Sequence, residues 1–387
     1  MPKNKKIIHI IPTLGGGGAE VLVGHIALEQ YKRGCEVHII LLEEFHFTYK
    51  NYPLKDELEK KIQIHKIQDE IIFSHKKRKF INKTKKIDEL ILTIKPNIIH
   101  SHLYLSEIYA HITQYKNAKY FSHLHDNMFQ FSISKNKTLK NNITDLIEVS
   151  WLKKQYKKFN NNFIAISKDT SEYFHRFLPK KVNKNIYTIS NAINLNKYSQ
   201  GIKSTDSIFR LINIGNLVPK KNHLMLINVV KELKKRGITN IRLDILGFGP
   251  LEEKLKSEII QNNLEDFITL KGNVSNVSEF LMNSDLYIHT AKYEPFGMVF
   301  IEAMASGLPI VCTDGKGNRD LIIDNYNGFM ISDFNVEKFA DSIEKIIKNN
   351  NLIKRLSQNS LEFSKEFSIE KYVDNLDDLY FSKNQYL

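Results

Sequence analysis

Apolar and polar positions along this chain come in alternating blocks that change period. A short apolar run over residues 6–12 gives way to four glycines, Gly15 to Gly18. Residues 19–33 then repeat apolar positions at helical spacing, stop at Gly34, and lead into a second apolar run over 36–42. This strand–loop–helix–strand order predicts a βαβ unit and with it a parallel sheet. The alternation continues with a helix over 84–93, a break at Pro96, a strand over 97–102, and further strands near 119–125, 162–167 and 185–190. Residues 44–80 fit no single template. A second series begins at Ile208, with strands predicted over 209–215, 241–246, 267–270, 285–290, 310–312 and 328–331, and helices over 222–236 and 337–348. Within it, residues 293–309 read as a turn containing Pro295 and Gly297, then a helix from Met298 that Gly307-Leu308-Pro309 ends. The pattern predicts two doubly wound α/β halves joined by a hinge within 191–206, with no short repeat. Ligands of such sheets bind beyond the carboxyl ends of the strands, so the expected site is a cleft between the halves. Fold alone names no reaction.

Composition adds bounds. With 387 residues, 42% of them hydrophobic, the chain can fill two cores, which excludes global disorder. Cys35 and Cys312 lie in different halves and read as buried thiols of a reducing compartment. No C-x-x-C or H-E-x-x-H spacing is present, so no metal is expected. The first apolar run contains His9 and Pro12 and is too short for a signal peptide. No run approaches the roughly 20 apolar residues of a membrane span. These features predict a protein that stays in the cytoplasm.

Charge is uneven. The chain carries +13, yet residues 1–190 hold 32 Lys and Arg against 18 Asp and Glu, while the rest holds 24 against 25. Two clusters concentrate the excess: Lys76, Lys77, Arg78 and Lys79 with Lys83, Lys85 and Lys86, and the run from Trp151 to Phe159. The latter interleaves Trp151, Tyr156 and Phe159 with four lysines, as an interfacial helix would. Basic surface gains about 1 kcal/mol per Lys or Arg against anionic lipid. The bland alternative is a solvated face. No nucleic-acid-binding module is recognisable, and nucleic acid is not an expected partner.

Several motifs carry chemistry. Glu294 and Glu302 flank the turn-to-helix junction eight positions apart. Backbone N–H groups near Gly297 to Val299 would form an anion site between them. Carboxylates for hydroxyls and amides for phosphate would suit a sugar nucleotide. Alternatively, the segment is a buried loop–helix junction with two incidental acids. The Gly15–Gly18 loop follows a strand and opens a helix, so its backbone can approach a phosphate. A dinucleotide fingerprint counted from Gly16 fails at Val21, although Glu43 or Glu44 imitates its ribose acid. Asn216, Lys220 and Lys221 follow the first strand of the second half, where a lysine can neutralise a diphosphate. Gly247 and Gly249 permit close backbone approach at another strand end. His123, His125 and Asp126 end a strand of the first half, and His100 and His102 end its neighbour, with weaker claim to function. Asp314 to Asp320 follows a strand and precedes a predicted helix.

In this order the pieces resemble glycosyltransferase family 4, the retaining enzymes of GT-B fold, from Ile7 to about Asn349. The 293–309 segment is similar to the family's E-x7-E element, and Ile166-Ser167-Lys168 to its serine strand end. Ile189 to Asn194 is similar to its interdomain N-G-[IV]-[DN], with Ala192 where glycine is usual. The resemblance implies an acceptor domain over 1–190, a nucleotide-sugar domain over 191–364, and a helix over 365–387 that crosses back to the first. It implies that Glu294 binds sugar hydroxyls and Glu302 the ribose, and that Phe296, Gly297, Met298 and Val299 offer amides. Lys221 would meet the diphosphate, together with Gly16, Gly17, Asn216, Gly247, Gly249 and Val274 on the nucleotide sugar. His125 would lie beside the sugar. Asn216 departs from the family's usual arginine, which would shift charge neutralisation to Lys221 and the glycine-loop amides, helped by Lys220 or Arg319. The implied reaction is retaining transfer from a UDP-sugar, hexosyl or N-acetylhexosaminyl, to a carbohydrate or lipid-linked glycan of a surface polysaccharide, lipopolysaccharide or capsule. It would proceed without metal or other cofactor, on a protein peripheral to the inner face of the cell membrane. A sugar-nucleotide epimerase of the same fold and a non-catalytic lipid- or nucleic-acid-binding module are the alternatives.

Overall fold

The computed structural model describes residues 4–42, 52–74, 77, 79–131, 139–201 and 207–381. Glu43, Glu44, Lys76 and Arg78 lie outside them. The chain forms two compact units, Met1–Asn191 with Ile369–Leu387, and Ala192–Ser368.

In the first unit the strands are β1 (Lys6–Ile11), β2 (Glu36–Leu41), β3 (Gln63–Lys66), β4 (Ile71–Ser74), β5 (Lys79–Asn82), β6 (Ile98–His102), β7 (Lys119–Leu124), β8 (Asn162–Ala165) and β9 (Ile186–Thr188). Seven form a sheet in the order β3-β2-β1-β6-β7-β8-β9, and β4 with β5 makes a separate antiparallel hairpin. The seven-stranded pairings are all parallel. Helices cover both faces, which is why β1 reads as one apolar run, five of its six residues buried. The ambiguous stretch before residue 80 resolves into a helix, Lys55–Lys61, then β3 and the hairpin. Chain order reverses between β1 and β6, the point at which such sheets bind ligands.

Helix Ile369–Phe381 belongs to this first unit. It buries Tyr372, Val373, Leu376 and Tyr380 on one face. Arg33, at the end of helix Gly18–Lys32, donates to Asp374 at 2.6 Å, to Asp377 at 3.2 Å and to the Glu370 carbonyl at 2.8 Å.

One sequence expectation is corrected here. Trp151 and Tyr156 on helix Leu139–Phe159 are 6% and 1% exposed and pack in the core with Leu152, Phe163 and Phe174. Aromatics at helical spacing serve a core as well as a membrane, and here they serve the core. Among the described residues, the large apolar side chains this helix exposes are Ile143 and Leu146.

The second unit contains β10 (Phe209–Ile214), β11 (Ile241–Leu246), β12 (Ile268–Gly272), β13 (Leu286–His289), β14 (Ile310–Thr313) and β15 (Gly328–Ile331), ordered β12-β11-β10-β13-β14-β15. All five pairings are parallel. Leu211, Leu243, Ile245 and Ile288 of the sheet pack with Leu226, Val230 and Leu233 of helix His223–Lys235 and with Phe339 and Ile343 of helix Val336–Ile347. The helix expected to follow Asp314 to Asp320 is absent: a 3-10 turn, Gly317–Asp320, lies within that segment, and the chain runs on through turns to β15. Its Asn318 side chain turns inward, accepting from the Gly315 amide at 2.9 Å and donating to the Thr313 carbonyl at 3.0 Å. Among the described residues, no helix is long and apolar enough to cross a membrane.

Candidate functional site

In the second unit, chain order reverses between β10 and β13, and the predicted residues gather at the carboxyl ends of these two strands. The exits are tied together. Lys292 donates its amide to the Lys220 carbonyl at 2.8 Å, and Thr290 donates its hydroxyl to the Asn222 carbonyl at 3.1 Å. Glu294 is pinned by backbone on both sides, its N–H to Gly315 at 2.9 Å and its carbonyl from Gly317 at 3.0 Å. Next comes Gly297, with φ +93°, where an added Cβ would lie 2.4 Å from the Phe300 ring and 3.0 Å from Glu294 Cγ. A side chain there would push the helix off the carboxylate it holds.

This backbone sets Lys221 Nζ against Glu294 Oε2 as an ion pair, with both side chains largely shielded from solvent. His289, the last residue of β13, brings Nε2 to 3.3 Å from the same oxygen. Its Nδ1 is 3.0 Å from the Tyr287 hydroxyl. Burial lowers the His289 pKa and keeps the ring neutral. The Tyr287 hydroxyl also lies 3.4 Å from the Ile214 carbonyl, to which it donates. Burial by itself would raise the Glu294 pKa. The His289 hydrogen bond and the Lys221 charge outweigh it and hold the carboxyl at about 2.

Glu302 lies in helix Met298–Ala305 and behaves oppositely. Burial pushes its pKa up to about 7, with the Tyr198 hydroxyl hydrogen-bonded to it and lowering it in part. One acid is therefore ionised throughout the physiological range while the other sits near its midpoint. The amides of Gly297, Met298 and Val299 precede the first i→i−4 bond of the helix and point out of its N-terminus. Phe296 is 1% exposed, so its ring belongs to the core and only its backbone faces outward.

Other predicted residues separate into contact surface and scaffold. Asn216, Lys220 and Lys221 fall on one loop after β10, with Asn216 and Lys220 exposed. Val274 is half-buried in the loop after β12. Gly247 and Gly249 have a structural reason for being glycine. Leu217 donates its amide to the Phe248 carbonyl at 2.9 Å, and a Cβ on Gly247 would lie 2.1 Å from the Gly215 carbonyl oxygen. Arg319 is committed to Asp314, donating through Nε at 2.8 Å and NH2 at 2.6 Å. Like Lys221, it would have to leave a carboxylate to meet a diphosphate.

The glycine loop of the first unit is also partly committed. Glu20 folds back so that Oε2 accepts from the Gly17 amide at 2.7 Å and Oε1 from the Thr13 hydroxyl at 3.0 Å. This capping carboxylate occupies the Gly17 amide expected to receive phosphate, whereas Gly16 is open.

Beside this loop, five histidines form a buried cluster on one face of the sheet. His9 pairs in register with His100, and His102 with His123. His9 Nδ1 is 3.0 Å from His102 Nε2, and His102 Nδ1 is 3.0 Å from His125 Nε2. Gln30 Oε1 closes the far end, 2.8 Å from His9 Nε2. Helix Ile369–Phe381 adds the Tyr372 hydroxyl at 3.3 Å from His123 Nε2 and that of Tyr380 beside His100 Nδ1. Burial depresses all five, His9 to about 4 and His125 to about 3. The triads His9–His100–His102 and His102–His123–His125 have ligand spacing for a metal ion.

His100 and His102, ranked below His125 on sequence, are thus joined to it. His289, Tyr287, Tyr198, His9 and Gln30 escaped sequence reasoning. The position of His289 at a strand's carboxyl end, four residues before Tyr293, was the available signal.

Two family models match, Glycosyltransferase Family 4 over residues 16–197 and Glycosyl transferases group 1 over residues 195–363. An uncharacterized glycosyltransferase of Methanocaldococcus jannaschii is 31% identical over 206 residues, 52% of this chain and 55% of that protein. The poly(glycerol-phosphate) alpha-glucosyltransferase of Bacillus subtilis is 30% identical over 215 residues, 55% of this chain and 30% of that protein. The chain thus spans about half or less of these curated relatives. Anabaena HepE in complex with UDP and glucose superposes with a TM-score of 0.76 at 18% identity, covering 98% of this chain and all of that one. The shared architecture is the GT-B fold of two Rossmann-like domains.

Proposed function

This chain belongs to glycosyltransferase family 4, and from that premise we propose that it moves a sugar from a UDP-sugar to a hydroxyl of a surface-glycan acceptor, with retention at the anomeric carbon. The observation that carries this reading is the Lys221–Glu294–His289 cluster at the reversal point of the second sheet. It offers one carboxylate held ionised for sugar hydroxyls and one ammonium for the diphosphate. When the bond from C1 to the diphosphate breaks, its electrons pass to the phosphate oxygen. Lys221 and the amides of Gly297 to Val299 stabilise that charge as it develops. The acceptor oxygen bonds to C1, and its proton passes to the leaving phosphate. Glu302 takes the ribose hydroxyls, and Asn216, Val274, Gly247 and Gly249 line the nucleotide. No metal is required for this division of charge.

The acceptor is polyanionic or lipid-linked. Support comes from the excess positive charge of residues 1–190 and from the polyol-phosphate acceptor named for the Bacillus relative. In the first unit, Lys153, Lys154 and Lys157 line a groove of about 470 Å³ together with Phe131, Leu146 and Phe177. With Ile143 and Leu146 exposed nearby, this face suits an anionic membrane surface and a cytoplasmic, peripheral placement.

The test is a panel of nucleotide sugars with polyol-phosphate and lipid-linked acceptors, read as nucleotide release and as anomeric configuration of the product by NMR. Donor turnover without acceptor would move the chain to the epimerases, and an inverted product would end the retaining assignment. Flotation with anionic liposomes tests the membrane face, and lack of salt-sensitive binding removes it.

A further inference from the structure

The histidine cluster of the first unit contains a hydrogen-bonded file, Gln30–His9–His102–His125, whose direction can be worked out atom by atom. Gln30 presents its amide oxygen to His9, and its amide nitrogen is buried without a hydrogen-bond partner among the described residues. A carbonyl oxygen only accepts, so His9 carries its proton on Nε2. The three rings of the file are deeply buried and neutral, each with a single N–H. His9 Nδ1 is then bare and accepts from His102 Nε2, and His102 Nδ1 is bare and accepts from His125 Nε2. The last nitrogen of the file, His125 Nδ1, is left as a lone pair. It is buried and has no hydrogen-bond partner among the described residues, and the residue is 8% exposed.

We infer that Gln30, His9 and His102 are positioning residues that fix His125 in the Nε2–H tautomer, so that its bare Nδ1 accepts a hydrogen bond from a substrate hydroxyl. A buried acceptor without a partner is costly, and a hydroxyl-bearing ligand removes that cost on binding. The inference rests on the transferase reading, and it explains why β1 and β6 contribute imidazoles where apolar residues would fill the same space. Reversal of the Gln30 amide would reverse every proton in the file and turn Nδ1 into a donor. A metal ion in either triad is incompatible with the file, because both nitrogens of His102 are already engaged.

The test combines two measurements on the full chain. In 15N-histidine-labelled protein, long-range 1H–15N spectra should show His9, His102 and His125 as Nε2–H tautomers. Gln30→Met, close in size but without the amide oxygen, should populate the Nδ1–H form of His125. It should also lower kcat about ten-fold while leaving the donor KM within two-fold. An Nδ1–H tautomer at His125 in the wild-type spectrum overturns the inference even if the variant does not fold. A shifted tautomer in Gln30→Met with unchanged kcat overturns it as well. So does a stoichiometric metal whose removal by chelator moves these histidine signals. Absence of transfer by the wild type with every nucleotide sugar would instead fail the transferase reading, and the role of the file with it.

Discussion

Lys221 and Glu294, 73 residues apart in sequence, meet as an ion pair where two neighbouring strands of the second unit end. The pair joins the group assigned to phosphate with the group assigned to sugar, so a donor has to enter between charges that already satisfy each other. On the proposed reading, Lys221 exchanges a carboxylate for a diphosphate as the donor binds. Glu294→Gln keeps the shape and removes the charge. We expect at least a hundred-fold loss in kcat with an unchanged far-UV circular dichroism spectrum.

The same pair makes a pH prediction. The Glu294 carboxyl titrates at about 2 in the folded chain against 4.5 for the free group. The folded state binds this proton less readily than the unfolded state, so the stabilisation is complete above about pH 4.5 and is lost as pH falls toward 2. Its size is on the order of 3 kcal/mol at neutral pH, shared between His289 and Lys221. Urea unfolding of Lys221→Met should show a clear loss at pH 6 that shrinks steadily below pH 4.5. A loss independent of pH would mean that the lysine acts through packing of its stem.

Tyr198 and Glu302 give a second titration, visible in binding. Burial pushes the Glu302 carboxyl up to about 7, and Tyr198 lowers it in part. An ionised carboxylate is the stronger acceptor for ribose hydroxyls. UDP affinity measured calorimetrically should therefore rise between pH 6 and 8. Tyr198→Phe should move that rise to higher pH.

Glu107 offers a comparable test in the first unit. It is fully buried, accepts hydrogen bonds from Ser101 at 2.8 Å, from Ser122 and from Tyr156 at 3.2 Å, and burial raises its pKa to about 7. Here the folded state holds the proton more tightly than the unfolded one. Stability therefore falls as pH rises from about 4.5 to 7 and levels off above. Glu107→Gln should flatten this slope in thermal melts at pH 5 and pH 8.

The sequence made legible whatever depends on period and punctuation. The parallel sheets follow from apolar runs separated by helical spacing, and the turn at Gly297 from Pro295 and Gly297 standing where the helix must begin. Glu294 and Glu302 were visible because they flank that turn. Partners supplied by other strands stayed hidden. His289 read as one more residue of a buried strand, since alternation reports the face but not what lies across it. The Glu20 carboxylate on Gly17 required a rotamer, which spacing does not give. Trp151 and Tyr156 were misplaced because one helical stripe suits a core and a membrane equally well.

Arg33 yields the last prediction. It clamps helix Ile369–Phe381 through Asp374, Asp377 and the Glu370 carbonyl. Arg33→Met removes all three bonds and leaves Asp377, whose carboxyl burial already raises to about 6, without its cation. Amide hydrogen exchange within 369–381 should accelerate at least ten-fold, with exchange in β10 to β13 unchanged.

That helix has a bearing on how the protein is made. Tyr372 and Tyr380 cap His123 and His100, so the sheet that starts at Lys6 is finished by side chains translated some 370 residues later. A ribosome that has released only residues 1–191 has produced a domain whose histidines still face water. The second unit can reach its native state during synthesis from its own contiguous sequence. The first has to wait until residues 369–381 have left the ribosome.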